Sequence, residues 1–365
     1  MIASKKHTLP LDKFVFDRAL TEWSFALSKD GNGNARIFNT NERLFFLSLI
    51  DQVRAMTEIG ESRGKLFVVT KRKWLGSKVL TQKNSHSSNL MRILDSFSYY
   101  EIQQYCKVFK FNPYANVFII GMLRKRIRQQ FDAGAHGRHM DEAQLYQYAD
   151  VLNTLVDYIR VQTKTPKFLN AHKNFLRRTT ENQKSIRTFF DNLFSAEQSI
   201  HLLRMDFAYT KINSHWFENG EALDLSFTYA KKDFAMFTRN LKKKKYRYLD
   251  HLIGYLWKLE IGVLKGAQYH VVFCFDGNHV KDVSPIADEI ADLWHQFSHG
   301  YLGISMNCNL LSSSLKGAGA GFIDASDLDK REKLYNLAIP YLTEMETLLQ
   351  PKNMGRTLGM SALKL

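Results

Sequence analysis

The spacing of hydrophobic residues changes near residue 200, and this change limits the folds that the chain can adopt. Before that point apolar residues recur at helical spacing. Residues 140–161 carry one apolar face, with Asp141 and Glu142 in the first turn, which predicts a helix. Further helices are predicted over 41–56 and from about 167 to 197.

After residue 200 short apolar and alternating runs predict strands at 201–209, 255–261 and 268–275, and helices at 230–241, 286–298 and from 329 onward. This order predicts an α+β protein with a mainly helical N-terminal half, followed by an antiparallel sheet with helices on one side. The length of 365 residues predicts two domains, 1–195 and 196–365, and the glycine-containing segment 133–137 is a candidate sub-boundary.

The basic excess lies in the first half of the chain. The formal net charge is +15; residues 1–200 hold 31 Lys and Arg against 18 Asp and Glu, whereas residues 201–365 hold 20 against 18. Basic residues near aromatic side chains suit phosphate neutralisation and base stacking, and a solvated helix surface is the alternative. The candidate DNA-binding residues are Lys71, Arg72, Lys73, Arg124, Lys125, Arg126, Arg128, Lys173, Arg177 and Arg178.

The hairpin predicted from the second and third of these strands brings together the most specific candidate chemistry. With its turn centred near residue 264, Glu260 pairs with Gln268, and the same register pairs Lys258 with His270. Because side chains two apart share a face of a strand, Glu260, Gln268 and His270 are expected to form one patch. A carboxylate, an amide oxygen and an imidazole suit Mg²⁺ or Mn²⁺ better than structural zinc. The alternative is a polar, solvent-facing side of the hairpin.

Two tyrosines of the last predicted helix are candidate nucleophiles, Tyr335 and Tyr341. A phenol with a pKa of about 10 is a poor nucleophile near neutral pH, and it becomes useful when a metal ion stabilises charge on the phosphate under attack. Pro340 is expected to kink the helix or to begin a new helical segment, which would turn Tyr341 towards the sheet. The alternative is that both are ordinary surface or core tyrosines.

Several other classes of protein are disfavoured. Three cysteines without a CxxC pair argue against a disulfide framework and a zinc ribbon, and they favour a reduced, cytoplasmic compartment. The first residues lack the apolar run of a signal peptide, and no stretch has the length of a membrane span, so no membrane partner is expected. The glycines of 317–321 are not followed by the Gly-Lys-Ser/Thr of a phosphate-binding loop.

A series of short segments in the second half carries a family resemblance through its order and spacing. The segments are Leu203-Arg204-Met205-Asp206-Phe207, Trp257-Lys258-Leu259-Glu260, Gly266-Ala267-Gln268-Tyr269-His270-Val271, Phe275-Asp276-Gly277, Trp294 with Gly300-Tyr301, Gly319-Ala320-Gly321-Phe322-Ile323-Asp324, Tyr341-Leu342-Thr343 and Gly355-Arg356-Thr357-Leu358-Gly359-Met360-Ser361. With them, residues from about 175 to 360 resemble the inovirus-type replication protein family, also described as the YagK/YfjJ C-terminal family of prophage proteins.

That family is similar to a branch of the HUH endonucleases, the class of rolling-circle initiators and relaxases. The resemblance implies an RRM-like sheet that carries metal ligands and a helix tyrosine that cuts single-stranded DNA. It assigns the acidic ligand to Glu260, the second histidine to His270 and the nucleophile to Tyr341. The implied protein is a replication initiator of a phage or prophage-like element that forms a 5′-phosphotyrosine link. Its cofactor would be Mg²⁺ or Mn²⁺, and its partners would be single-stranded or origin duplex DNA and host replication proteins.

Two residues depart from the pattern of that family. Gln268 occupies the place of the first histidine, and an amide oxygen is the weaker ligand for transition metals. Glu344 follows Tyr-Leu-Thr where the family often has a lysine, which removes one cation from the scissile phosphate. A non-catalytic DNA-binding regulator of replication or transcription on the same scaffold is therefore the alternative, and an RNA-binding module is a more distant one.

Overall fold

The computed structural model describes residues 23, 25–29, 35–40, 42–71, 78–124, 127, 140–209, 220–241, 250–263, 266–298, 302–311, 319–352 and 354–362. The candidate sub-boundary at 133–137 lies outside these residues. None of the described helices is both long enough and apolar enough to span a membrane. The three cysteines, Cys106, Cys274 and Cys308, are free thiols.

The described residues form helices and strands, and the longest strands are three of 11 residues each in the second half. The helices are α1 (Glu42–Glu61), α2 (Ser85–Asp95), α3 (Tyr99–Val108), α4 (Pro113–Met122), α5 (Glu142–Thr163), α6 (Pro166–Ala196), α7 (Gly220–Leu241), α8 (Ser284–Phe297), α9 (Leu328–Lys333) and α10 (Ile339–Thr343). The strands are β1 (Phe25–Lys29), β2 (Ala35–Asn39), β3 (Phe67–Lys71), β4 (Lys78–Gln82), β5 (Phe109–Phe111), β6 (Ser199–Tyr209), β7 (Leu252–Gly262), β8 (Gly266–Asp276), β9 (Gly303–Asn307), β10 (Gly321–Asp324), β11 (Leu349–Pro351) and β12 (Leu358–Ala362).

Contacts divide the chain into two compact units. The first, here called the sheet unit, comprises residues 1–43, 179–345 and 351–365, and the second, the helical unit, comprises residues 44–178 and 346–350. Because this division rests on contacts alone, the functional boundary expected at 195/196 stays a prediction.

The helical unit is built around α5, whose apolar face fills its core. Leu152, Leu155 and Ile159 of this helix are fully buried, and they share one cluster with Phe67 and Phe118. The helix begins with a capping box in which Asp141 accepts from the Gln144 backbone N–H at 2.8 Å and the Gln144 side chain accepts in return. The helix predicted over 140–161 is thus confirmed, with Asp141 as its N-cap.

The sheet unit contains an antiparallel sheet in the order β10-β6-β8-β7-β12, and β9 pairs with the remaining part of the free edge of β6. The three strands predicted from the sequence are its three central strands, and each is longer than predicted by one to three residues at either end, apart from the C-terminal end of β6. The mixed α+β class is confirmed. The sheet is open, and its strands pair antiparallel.

Helices contact both faces of this sheet, so the prediction of helices on one side is wrong. On one face, the Phe207 ring of β6 lies 5.1 Å from the rings of Phe237 in α7 and Trp294 in α8. On the other face, the His270 ring of β8 lies 6.0 Å from the ring of Tyr341 in α10. The prediction failed for a physical reason. Because β6 and β8 are buried along nearly their whole length, other elements must pack against both faces of the sheet.

A side chain bridges the gap between β10 and β9 along the edge of β6. Asn309 accepts a hydrogen bond from the Arg204 backbone N–H at 2.9 Å and donates one to the Leu202 carbonyl at 2.9 Å. Leu202 is the last residue of β6 that pairs with β10, and Arg204 lies between it and the segment that pairs with β9. The amide therefore takes the place of a strand and fixes the backbone of β6 at Arg204.

We predict that Gly359→Ala destabilises the sheet unit by roughly 1–3 kcal/mol, because an added Cβ is overpacked against a rigid ring. Gly359 lies opposite Trp257 in the β7–β12 ladder, and a Cβ at Gly359 would lie 2.5 Å from the indole of Trp257. Denaturant unfolding of the variant measures the loss. In a Trp257→Leu background the same substitution should cost clearly less, and an equal cost in both backgrounds would contradict the overpacking argument.

Candidate active site

The candidate site lies on the face of the sheet where β6, β8 and β7 run side by side. In the observed register Asp206 of β6 pairs with His270 of β8, which in turn pairs with Lys258 of β7. Glu260 pairs with Gln268, so the hairpin register predicted from the sequence is confirmed. Since paired residues and residues two apart share a face, these five side chains belong to one face of the sheet.

The imidazole of His270 is held between two carboxylates. Its Nδ1 lies 2.6 Å from Asp206 Oδ1, and its Nε2 lies 3.0 Å from Glu260 Oε2. Asp206 and His270 are 1% and 3% exposed, whereas Glu260 is half-buried and lies nearest to solvent. Buried charges persist only when they are paired and hydrogen-bonded, and this arrangement satisfies both ring nitrogens.

Gln268 faces Asp206 rather than Glu260. Its amide nitrogen donates to Asp206 Oδ2 at 2.9 Å, while the other oxygen of Asp206 is bonded to His270. Gln268 therefore helps to orient the carboxylate that in turn orients the imidazole. Its predicted role as a metal ligand stays a prediction.

Asp206 was not among the residues that the sequence singled out for the site. A signal was present, because Arg204 and Asp206 are two charged residues, two apart, within an otherwise apolar strand. Charged side chains in a buried strand require partners on the same face. The sequence did not show which strand lies on the other side of β8, and that pairing is what brings Asp206 to His270.

Two side chains of this group, Glu260 and His270, have donor atoms that suit a divalent ion. Among the described residues there is no group of three His, Cys, Asp or Glu side chains placed to hold a metal. Asp206 and Glu260 lie on opposite nitrogens of the His270 ring. Glu260 Oε2 and His270 Nε2, 3.0 Å apart, have the separation of adjacent ligands about 2.1 Å from an octahedral ion. Mg²⁺ is often bound by one or two protein groups, with water and substrate phosphate completing its shell.

Tyr341 lies next to this group because the helix that carries it is interrupted. Residues 334–338 form a π-helical turn, in which the Ile339 N–H bonds to the Leu334 carbonyl, and α10 then begins with Pro340 in its first turn. The expectation that Pro340 begins a new helical segment is confirmed. The Tyr341 ring lies edge-on to the His270 ring, with 6.0 Å between centroids and an angle of 82°.

Tyr341 is enclosed, with only 1% of its surface exposed. Trp23 stacks on its ring at 5.9 Å and donates its indole N–H to the Tyr341 carbonyl at 2.8 Å. On β6, the guanidinium of Arg204, which is 2% exposed, lies 5.2 Å from the centre of the same ring. A phenol in this position can reach a phosphate only after its surroundings open.

Tyr335 lies apart from the group around His270. Its hydroxyl donates to Asp191 of α6, and the guanidinium of Arg187 lies 4.6 Å from its ring centre. Burial, and then the hydrogen bond to Asp191, raise the pKa of Tyr335. The structure therefore brings Tyr341, and not Tyr335, to His270.

The candidate DNA-binding residues are only partly described. Arg72, Lys73, Lys125, Arg126 and Arg128 lie outside the described residues. Lys71, Lys173 and Arg177 are exposed, and the last two lie one turn apart on α6. Arg124 is exposed but stacks on Tyr158 at 4.2 Å, and Arg178 lies 3.6 Å from the buried carboxylate of Glu346. Their role in DNA binding stays a prediction.

Glu344 is buried one turn after Tyr341. Its carboxylate accepts a hydrogen bond from the Gln183 amide at 3.1 Å, and the same amide donates to Thr343 at 3.0 Å. Burial raises the pKa of Glu344 from its ordinary value of 4.5 to about 7, although the hydrogen bond from Gln183 acts in the opposite direction. The side chain therefore changes charge near neutral pH.

We predict that Mn²⁺ binding, measured by calorimetry, depends on the two proposed ligands. Glu260→Gln and His270→Ala should abolish measurable binding, whereas Asp206→Asn should weaken it by about 10–100-fold, because Asp206 only orients the imidazole. Glu289→Gln, the same chemical change at an exposed position of α8, is the control. Unchanged affinity in Glu260→Gln would contradict this assignment of ligands.

We predict that Glu344→Gln stabilises the protein at alkaline pH. The raised folded pKa means that stability present below about pH 4.5 is lost as the pH rises through about 7, by at most about 3 kcal/mol. The unfolding temperature of the variant should exceed that of the wild type near pH 8 and equal it near pH 4.5. Glu332→Gln, at an exposed position of α9, should show no such pH-dependent difference.

The similarity of this chain to known proteins lies mostly in the sheet unit. A search of curated proteins and a search of solved structures gave no match. Residues 163–301 match the family model of the YagK/YfjJ C-terminal domain. The matched range includes Asp206, Glu260 and His270, and it ends before Tyr341.

Proposed function

We propose that the protein nicks single-stranded DNA as an HUH-type replication initiator of a phage or prophage-like element. The observation that supports this is the position of a phenol, Tyr341, beside an imidazole that is bonded to carboxylates on both sides. Acidic and imidazole groups next to a nucleophile suit phosphoryl transfer, in which catalysis depends on positioning and charge stabilisation.

The proposed reaction is a transesterification. The Tyr341 oxygen attacks the phosphorus of a phosphodiester, and the bond from phosphorus to the 3′ oxygen breaks. The phenol proton leaves to a base of the site, and the departing 3′ oxygen takes up a proton. The products are a 5′-phosphate joined to Tyr341 and a free 3′ hydroxyl, which primes synthesis.

The residues of the sheet have separate roles in this proposal. Glu260 and His270 would hold Mg²⁺ or Mn²⁺, which when bound would polarise the phosphoryl oxygens. Asp206, whose Oδ1 lies 2.6 Å from His270 Nδ1, would accept the Nδ1–H and fix the orientation of the imidazole. The Gln268 amide donates to the other oxygen of Asp206. The exposed Lys173 and Arg177 of α6 are proposed contacts for the DNA backbone.

The enclosed position of Tyr341 adds a requirement. A phosphate must approach a phenol that is 1% exposed and covered by Trp23. The proposal therefore includes an opening step before the chemistry, in which the Trp23 contact is released. A flexible single strand fits such an opening more easily than a duplex does.

The test is incubation with 3′-labelled random-sequence single-stranded oligonucleotides and Mn²⁺, followed by denaturing electrophoresis, because the 3′ fragment is the one that stays joined to the protein. We predict a covalent protein–DNA adduct in the wild type and none in Tyr341→Phe, because the variant lacks the attacking oxygen. Tyr335→Phe removes the hydroxyl of the tyrosine that lies apart from His270, so it should retain the adduct. Adduct formation by Tyr341→Phe, or its absence from the wild type, would contradict the proposal.

The alternative is a non-catalytic DNA-binding regulator on the same scaffold. The enclosure of Tyr341 and the presence of Gln268 and Glu344 favour it. It predicts salt-sensitive DNA binding that does not depend on metal. A metal site that requires His270, found in the calorimetric titration, would exclude it.

A further inference from the structure

We propose that Arg204 is a further catalytic residue, whose guanidinium binds the phosphate attacked by Tyr341. This inference rests on the proposed nicking function and extends it to a residue that the sequence did not single out. Arg204 lies on β6 two residues before Asp206 and therefore shares the face of Asp206 and His270.

The position of Arg204 relative to the nucleophile supports this role. Its guanidinium carbon lies 5.2 Å from the centre of the Tyr341 ring, and the His270 ring lies 6.0 Å from the same centre. The phenol is thus contacted by a fixed cation and by the imidazole that the metal ligand Glu260 also contacts. A phosphate that reaches the Tyr341 oxygen would come close to both.

The backbone at Arg204 is fixed before any substrate arrives. The Asn309 side chain holds its N–H at 2.9 Å, at the place where the edge of β6 passes from β10 to β9. Arg204 is also 2% exposed, so little rotamer freedom remains to be lost when it binds an anion. A cation held in place in a low-dielectric site stabilises developing charge more than a mobile one in water does.

The chemistry of guanidinium fits the substrate. Its planar donors match two phosphate oxygens at once, and it keeps its charge at any pH relevant to the reaction. Arg204 would therefore bind the phosphate without taking up or releasing a proton.

The described residues of the helix that carries Tyr341 provide no cation that could replace Arg204. The residue one turn after Tyr341 is the buried acid Glu344, which is anionic at alkaline pH. Lys258, 6% exposed, is the other buried cation of the face, and it lies opposite His270 on β7. The guanidinium of Arg204 is the cation that lies against the Tyr341 ring.

The test is single-turnover nicking of the labelled single strands in Mn²⁺ by four proteins: wild type, Arg204→Gln, Arg204→Lys and Arg187→Gln. Arg204→Gln should slow adduct formation by about 10²–10³-fold at saturating DNA, with DNA affinity within about threefold of the wild type. Arg204→Lys keeps the charge but not the planar donors, so its rate should lie between these limits. Arg187→Gln is the matched control, because Arg187 stacks on Tyr335 at 4.6 Å, and it should nick like the wild type.

A further readout separates a role in chemistry from a role in folding. Guanidinium at sub-denaturing concentration should restore part of the nicking rate of Arg204→Ala. A loss of rate that guanidinium does not restore would show a structural role and overturn the proposal.

Failure of this inference is distinguishable from failure of the proposed function. If the wild type forms no adduct, both fall together. If the wild type forms the adduct and Arg204→Gln forms it at the same rate, the role of Arg204 falls and the nicking function stands. Should Arg204→Gln fail to fold by circular dichroism, Arg204→Lys decides: a rate at least tenfold below the wild type supports the proposal, and an equal rate overturns it.

Discussion

The imidazole of His270 bridges two carboxylates from the strands on either side of its own, and the candidate site depends on this bridge. Asp206 holds one ring nitrogen at 2.6 Å and Glu260 the other at 3.0 Å. A slip of one residue in either ladder would turn one carboxylate to the opposite face of the sheet. The registers of β6 with β8 and of β8 with β7 must therefore both be kept for the site to exist.

Charged side chains lie around this bridge in the buried part of the sheet, where an unpaired charge costs free energy. Asp206, Arg204 and Lys258 are each at most 6% exposed, and burial of an isolated charge costs several kcal/mol. Paired charges lower that cost but rarely stabilise a fold more than apolar residues of the same volume would. A group of this kind is better explained by what it does to a substrate than by stability, and this explanation agrees with the proposed phosphoryl transfer.

Local pattern predicted the hairpin well. The segment between β7 and β8 is short, and a turn centred near residue 264 is enough to set the register of Glu260 with Gln268. The contact between Asp206 and His270 joins residues 64 apart, and no local signal shows that β6 lies beside β8. The strands β9, β10 and β12 are four or five residues long, too short for periodicity to reveal.

The same limit explains why the enclosure of Tyr341 was not predicted. Trp23 and Tyr341 are 318 positions apart, and only the folded chain brings their rings together. The prediction of helices on one side failed for a related reason, since the length of buried β6 and β8 is visible only once their partners are known.

The number of residues in the π-helical turn at 334–338 determines the direction in which the Tyr341 side chain points. In this turn the Ile339 N–H reaches back five residues to Leu334, one residue more than in an α-helix. Deletion of a single residue there would return the helix to its usual phase and rotate everything after it by about 100°. Tyr341 would then point away from the imidazole, so the contact between the two rings depends on the number of residues between Leu334 and Tyr341.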